Sequence, residues 1–365
     1  MRRLLAACGA ALVAVLAVVF ASCGSSAKPA ADSGFFGVDK GSTFGGDDDA
    51  AKMASTNVGA VRFSLNWSGI EPRRGSFDWF KTDLVVGVLA THGIEPVPFV
   101  YNSPSWISHD PAHPPLDTAR DRAAWTEFLT MVVKRYGPGG EYWASDYEKV
   151  FGQDAQPLPI TAWQIWNEPN LPHYFAPKPS PGAYAQLLRL SDHAIKSEDP
   201  NAEIVLAGMP GYGKPDTAWR FLDKLYRQPG FANDFDAVAL HPYARTVGQL
   251  QLEIEKLRAA MAQHGDSETP LWLTELGWGS GKPNRFGLNK GLEGQKRLLE
   301  GSFRLILDHR SAWHVQRLFW FDWRDPAPGT PQACSFCSSA GLLHNNGDPK
   351  PAWEAYKRLA SGAEN

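Results

Sequence analysis

Two glutamates stand where apolar runs stop. The stretch "TAWQIWNEPN" (161–170) carries Trp163, Ile165 and Trp166 directly up to Asn167-Glu168-Pro169. The stretch "LWLTELGW" (271–278) sets Glu275 in an equally apolar run. A carboxyl group in such surroundings is costly as an anion unless it is paired, hydrogen-bonded or kept protonated. Two carboxyls of unequal acidity facing across one cleft can divide acid–base work. One holds a proton for a leaving oxygen, and the other stays ionised and attacks or assists water. Cleavage of a glycosidic bond uses such a pair.

To meet, the two residues need a scaffold that gathers strand ends. Short β-rich runs alternate with helical stretches along this chain. The pattern predicts strands over 34–39, 59–65, 95–101, 161–166, 203–208, 237–243, 271–276 and 317–323. Several are almost continuously apolar, as parallel strands covered on both faces are. Helical periodicity runs between them and stops at glycines such as Gly93 and Gly137, a common way for helices to end. The alternation predicts an α/β chain folded as a single (β/α)8 TIM barrel over 34–362, with long loops at 102–122 and 137–160. A doubly wound open sheet is the alternative, but no Gly-rich phosphate fingerprint follows the first strand. The C-terminal strand ends of a barrel form its reacting face. The polar and aromatic residues there are Arg62, Tyr101, Asn102, Asn167, Glu168, His241, Tyr243, Glu275, Trp320, Asp322 and Trp323.

"WQIWNEPN" with "LWLTELGW" resembles the large clan A of retaining glycoside hydrolases, in which an Asn-Glu pair ends strand four and a glutamate ends strand seven. "VRFSLNWSGIEPRRGSFDW", "YNSPSW", "FLTMVVKRYGPGGEYW" and "GLLHNNGDPKPAWEAY" look like glycoside hydrolase family 39 and related cellulase-like barrels. The likeness spans nearly the whole chain after residue 33. It implies an O-glycoside hydrolase working by double displacement, with no cofactor and no metal. Glu168 is the implied acid/base and Glu275 the implied nucleophile. Asn167 would bind the sugar hydroxyl beside the reacting carbon. Arg62 would keep Glu275 charged and Tyr243 would orient it. Trp320, or else Trp323, would floor the reacting sugar. Many clan members end strand three with a histidine, where this chain reads "VYNSPSW".

His241 reads either as a core histidine or as a sugar contact, and Asn102 and Trp106 are further candidate contacts. Trp67, Trp106, Trp166, Trp278, Trp320 and Trp323 fall near strand ends and together suggest a stacking platform for sugar rings. The bland reading of the two glutamates is a structural ion pair with Arg62. Transglycosylation through the same intermediate, or a carbohydrate-binding barrel without turnover, are the alternatives to hydrolysis.

A net charge of −3 gives nucleic-acid binding no electrostatic support. The expected partner is a carbohydrate and the expected state a monomer. Residues 1–22 read as an export signal of lipoprotein type, with Cys23 lipidated and 23–33 a flexible tether. That layout implies an exported protein, anchored at the cell surface or else secreted. After Cys23 only Cys334 and Cys337 remain. Outside the cytoplasm so close a pair reads as a disulfide rather than a zinc site. "GGDDDAAKM" reads as an acidic helix start rather than a cation site.

Overall fold

The computed structural model describes residues 34–41, 43–212, 216–283 and 287–362. The expected export signal, Cys23 and the tether lie outside the described residues. Nine parallel strands form one sheet: β1 (Phe36–Asp39), β2 (Ala60–Asn66), β3 (Glu95–Tyr101), β4 (Ala162–Ile165), β5 (Glu203–Leu206), β6 (Met209–Pro210), β7 (Val238–His241), β8 (Leu271–Leu276) and β9 (Val315–Trp320). Their order across the sheet is β5-β4-β3-β2-β1-β9-β8-β7-β6. Ala207 and Gly208 separate β5 from β6, so the fifth expected strand is present in two pieces. A parallel bridge from Val205 to Ala237 links its first piece to the start of β7. The sheet thereby curls round on itself as a TIM-like barrel.

Among the described residues ten α-helices accompany the strands: α1 (Asp47–Ser55), α2 (Trp67–Ile70), α3 (Phe80–Thr91), α4 (Ala119–Tyr136), α5 (Tyr147–Phe151), α6 (Pro181–Glu198), α7 (Ala218–Tyr226), α8 (Val247–Gln263), α9 (Leu292–Asp308) and α10 (Pro351–Ala360). Local signals start several of them. Thr118 and Asp121 form a reciprocal capping box on α4. Ser180 caps α6 ahead of Pro181, and Thr246 caps α8. Asp47, Asp48 and Asp49 occupy the first turn of α1, in keeping with the helix-start reading. Among the described residues no helix is long and apolar enough to cross a membrane.

Strand alternation divides the core into two layers. Ala60, Val97, Ala162, Val205, Ala237, Ala239, Trp272 and Phe319 pack together inside the barrel. The large outer cluster lies between strands and helices and holds most tryptophans, including Trp67, Trp125, Trp163 and Trp166. Two residues further along the inward face, Ala60 is followed by Arg62, Ala162 by Gln164, Ala239 by His241 and Trp272 by Thr274. The same period that fills the barrel floor with apolar groups therefore lines its C-terminal mouth with polar ones.

The last strand is shifted from expectation. It runs over Val315–Trp320 rather than 317–323, because pairing with β8 already starts where Leu271 donates to the His314 carbonyl. The chain after it, up to α10, folds back over the mouth. Lys350 anchors this return. The residue is 1% exposed, and its ammonium donates to Asp325 at 2.7 Å and to the Ser339 carbonyl at 3.1 Å. Lys350→Met should leave the Asp325 carboxyl unpaired and cost about 3–5 kcal/mol. Denaturant unfolding would measure this, and a loss below about 1 kcal/mol would contradict the anchoring role.

Candidate active site

Arg62 lies at the centre of the mouth with no solvent exposure. Every edge of its guanidinium has a partner. Nη1 donates to Glu275 Oε1 at 2.6 Å and to Asp39 Oδ2 at 2.7 Å. Nε donates to Gln164 Oε1 at 2.7 Å and Nη2 to Asn167 Oδ1 at 2.8 Å. The Phe99 ring lies under it, 4.0 Å from the central carbon. One cation from β2 thus fixes side chains from β1, β4 and β8.

Glu275 is held at both oxygens, since the Tyr243 hydroxyl donates to Oε2 at 2.6 Å. Glu168 is held differently. The backbone leaves β4 through two residues of positive φ, Trp166 at 72° and Glu168 at 42°. Side chains other than glycine adopt this region at a cost, and such strain collects at functional sites. The kink turns Asn167 and Glu168 together into the mouth, and the Glu168 N–H donates to the Gly208 carbonyl at 3.1 Å. Gly208 must be glycine, because a Cβ there would occupy the space of the His241 ring. That ring sits between the glutamates, with Nδ1 2.8 Å from Glu168 Oε1 and Nε2 3.6 Å from Glu275 Oε1.

Burial pushes several of these groups away from their usual charge. His241 is lowered to about 4 by desolvation, so its imidazole is neutral. Burial together with Asp39 and Asp325 holds the Asp322 carboxyl well above the usual range. Glu168 is raised by burial, against the pull of His241. Glu275 is raised by burial to about 7, against the pull of Arg62. The charge of Glu275 also raises Glu168, so the two glutamates do not readily ionise together. The hydrogen bonds decide the order. Glu275 accepts from a guanidinium and a phenol, both of which favour its anion, whereas Glu168 has only the imidazole. The proton of the pair belongs on Glu168. Its Oε1 pairs with Nδ1 of His241 at 2.8 Å, which holds the carboxyl by one oxygen and leaves the other to carry the proton.

Glu168, His241 and Glu275 each offer a ligand atom within 4.8 Å of the others, the one such group among the described residues. A divalent ion there would compete with Arg62 for the same Glu275 oxygen, 2.6 Å from a fixed positive charge.

The pair faces a cavity of about 510 Å³ whose wall includes Asp39, Asn167, Glu168, Tyr243 and Glu275. His241 has no solvent exposure and serves Glu168 rather than a ligand directly. Four expected contacts are not brought here. Phe319 points into the barrel, so alternation sends Trp320 outward. There it packs on Trp278 and Phe303, and its Nε1–H donates to the Ala340 carbonyl at 3.2 Å. Trp323 lies beyond the strand and is fully buried in the outer core. Phe321, between them, takes the cavity wall. Trp106 stands on the outer rim, edge-on to Trp67, donating to the Glu71 carbonyl at 3.0 Å. Asn102, at φ 68°, is outside the cavity wall, and Tyr101 lines the cavity instead.

The expected tryptophan platform is thus absent from the cavity. Its aromatic wall is Phe99, Tyr101, Tyr174, Tyr212, Tyr243, Phe321 and Phe336. Asp39 and Gln164 were not expected in the site, although both are polar residues within apolar strands. Cys334 and Cys337 are joined by a disulfide and line the cavity from the returning segment.

Carboxyls paired at the C-terminal mouth of a parallel barrel form the setting for glycosidic-bond chemistry. The chain belongs to the glycosyl hydrolase catalytic core family, whose model matches residues 121–356 and so takes in both glutamates. The fold is similar to that of a family 39 glycoside hydrolase from Bacteroides cellulosilyticus (19% identity, TM-score 0.64, covering 91% of this chain and 64% of that one). It is similar also to a monomeric β-xylosidase from Caulobacter crescentus (18%, 0.63, 89% and 68%). A third is a glycoside hydrolase of family 5, subfamily 18, from Streptomyces cattleya in complex with GlcNAc (15%, 0.68, 90% and 80%). The present chain spans less than two thirds of the Bacteroides enzyme. No curated protein matches the chain in sequence.

The raised Glu168 carboxyl has a consequence for stability. The fold keeps a proton that the unfolded chain releases, so stability from this group is present below the unfolded pKa and lost as pH rises through the folded one. Glu168→Gln should therefore gain thermal stability over the wild type, and the gain should be larger at about pH 8 than at about pH 5. Unfolding midpoints at the two pH values would measure it; an equal or reversed gap would contradict the assignment.

Proposed function

We propose that the protein is a retaining O-glycoside hydrolase of an extracellular oligo- or polysaccharide, with Glu275 as nucleophile and Glu168 as acid/base. The observation that carries the reading is the spacing of the two carboxyls, whose nearest oxygens lie within 4.8 Å. Double displacement uses carboxyls about 5–5.5 Å apart, whereas inversion needs about 6.5–9.5 Å to admit a water. In the first step Glu275 attacks the anomeric carbon and the glycosidic C–O bond breaks. The departing electron pair goes to the leaving oxygen, which takes the Glu168 proton. In the second step water adds to the same carbon and returns a proton to Glu168, and the ester bond to Glu275 breaks.

The surrounding groups fit these roles. Arg62 and Tyr243 favour the anion that attacks. His241 pairs with one Glu168 oxygen and holds the acid in place. Arg62 occupies the Asn167 oxygen, which leaves the amide NH2 to donate to a sugar hydroxyl. Phe321 is the proposed floor of the reacting sugar. The same reading places the protein outside the cytoplasm as a monomer, held to the membrane by a lipid on Cys23. Metabolic labelling with a fatty acid, lost in Cys23→Ala, tests the anchor. A structural neighbour from Caulobacter crescentus is a β-xylosidase and one from an Opitutaceae bacterium an exo-β-1,4-mannosidase, so β-xylosides and β-mannosides head the substrate screen.

The anomeric form of the first product, followed by proton NMR, tests the mechanism. Retention is expected, and inversion would overturn it. Glu275→Gln should lose turnover of every substrate. Glu168→Gln should lose about 10²–10⁴-fold on unactivated glycosides, while 2,4-dinitrophenyl glycosides, whose leaving group needs no proton, should still react. Near-normal rates of both variants on an unactivated glycan would sink the pairing. Tyr243→Phe removes a donor to the Glu275 anion and so raises that carboxyl. The acidic limb of the pH–kcat/KM profile should then move to higher pH, and an unmoved limb would contradict the role given to the phenol.

A further inference from the structure

Beside the reaction cavity lies a larger one of about 670 Å³. The two share Tyr212, Tyr243, Cys334 and Phe336 in their walls. Tyr212 follows β6, in the segment that leads on from Gly208, whose carbonyl accepts the Glu168 backbone N–H. The second cavity therefore adjoins the cleft through Tyr212, on the segment that also holds Glu168, the acid assigned to the leaving group.

The lining joins apolar surface to positive charge. Tyr212 and Leu252 are 47% and 52% exposed, unusual for large apolar side chains beside a cleft. Trp219 forms another part of the wall, with the Lys256 ammonium 4.9 Å from its ring centre. Arg245 stands opposite on the segment before α8, and Lys290 donates to its carbonyl at 2.8 Å. Burial and the Arg245 charge together lower the Lys290 ammonium. Among the described residues none of these three cations forms an ion pair. The one acid in the wall is Glu253, whose Oε2 is buried without a hydrogen-bond partner, and burial pushes it up to about 8. At neutral pH it brings little negative charge. On a chain of net charge −3, such an uncompensated positive rim is a local exception.

We propose that this cavity holds the leaving-group sugar of the substrate, and that this sugar carries a carboxylate, as a uronic acid residue does. The inference rests on the hydrolase reading, which lays a glycan across Glu168 and Glu275. The aromatic and aliphatic wall receives the apolar face of the sugar ring, and Arg245 and Lys256 take its carboxylate.

Calorimetric titration of the full chain carrying Glu168→Gln tests this without turnover. The probes are trigalacturonate and a xylotriose bearing 4-O-methylglucuronate, each beside its counterpart with the carboxyls reduced to alcohols. At least one acidic probe should bind on the order of tenfold more tightly than its reduced partner. The preference should shrink as salt is added, and it should vanish in Arg245→Gln/Lys256→Gln with the unfolding midpoint unchanged. Trp219→Ala should weaken both members of that pair alike. The inference is overturned if neither acid outbinds its reduced partner, or if the preference survives loss of both charges. Wild-type turnover of neutral aryl glycosides is read separately, so the hydrolase reading can stand when this one falls.

Discussion

A single buried guanidinium sets the terms for the mouth of this barrel. An unpaired cation in such a place would cost far more than the protein could sustain, so Arg62 must be met on every edge. Asp39, Gln164, Asn167 and Glu275 meet it, from three other strands and the turn that follows β4. Each of these strands is held in register by its neighbours, so the positions of the four partners are tied to closure of the sheet itself. In return, the guanidinium fixes Glu275 and turns the Asn167 amide. The charge is satisfied only when the barrel is complete, which couples the integrity of the fold to the geometry of the site.

The same burial separates the two glutamates chemically. Two buried carboxyls so close together favour retention of a proton between them, and the hydrogen-bond partners determine where it stays. Glu275 lies against the cation and a phenol. Glu168 lies against an imidazole that burial keeps neutral and that cannot easily relieve it by taking up charge. Two identical side chains less than 5 Å apart thereby acquire different roles from their neighbours alone. The positive φ angles at Trp166 and Glu168 belong to the same economy, since local backbone cost is accepted where it aims a reacting group.

Much of this was legible in the sequence, and the part that was not has a physical explanation. The barrel follows from eight strand–helix alternations, and Glu168, Glu275, Arg62, Asn167 and Tyr243 follow from polar residues at the ends of apolar strands. All five meet in the structure. The parity of the last strand was not legible, because a run such as "RLFWFDW" is apolar on both faces and offers no alternation to read. One position of register separates Trp320, which packs outward, from Phe321, which faces the cavity. Asp39 obeys the strand-end rule and could have been found by it. Gln164 could not, because a lone amide inside "AWQI" shows its purpose only once Arg62 is placed beside it.

The tryptophans teach the most about how such a chain allots its residues. Fourteen of them suggest a surface for flat ligands, yet Trp67, Trp166, Trp278, Trp320 and Trp323 are all fully buried. The outer layer explains this. Helices packed on a curled sheet leave wide wedge-shaped gaps, and the largest side chains fill them at close to crystal density. The mouth has the opposite requirement. Its walls combine strand ends with loop residues and must leave space for a ligand while presenting both apolar faces and hydrogen-bonding edges, which tyrosine supplies in less volume. Strand residues therefore fix the chemistry and loop residues shape the space around it, so a fold can keep its two acids while the sugars that reach them change.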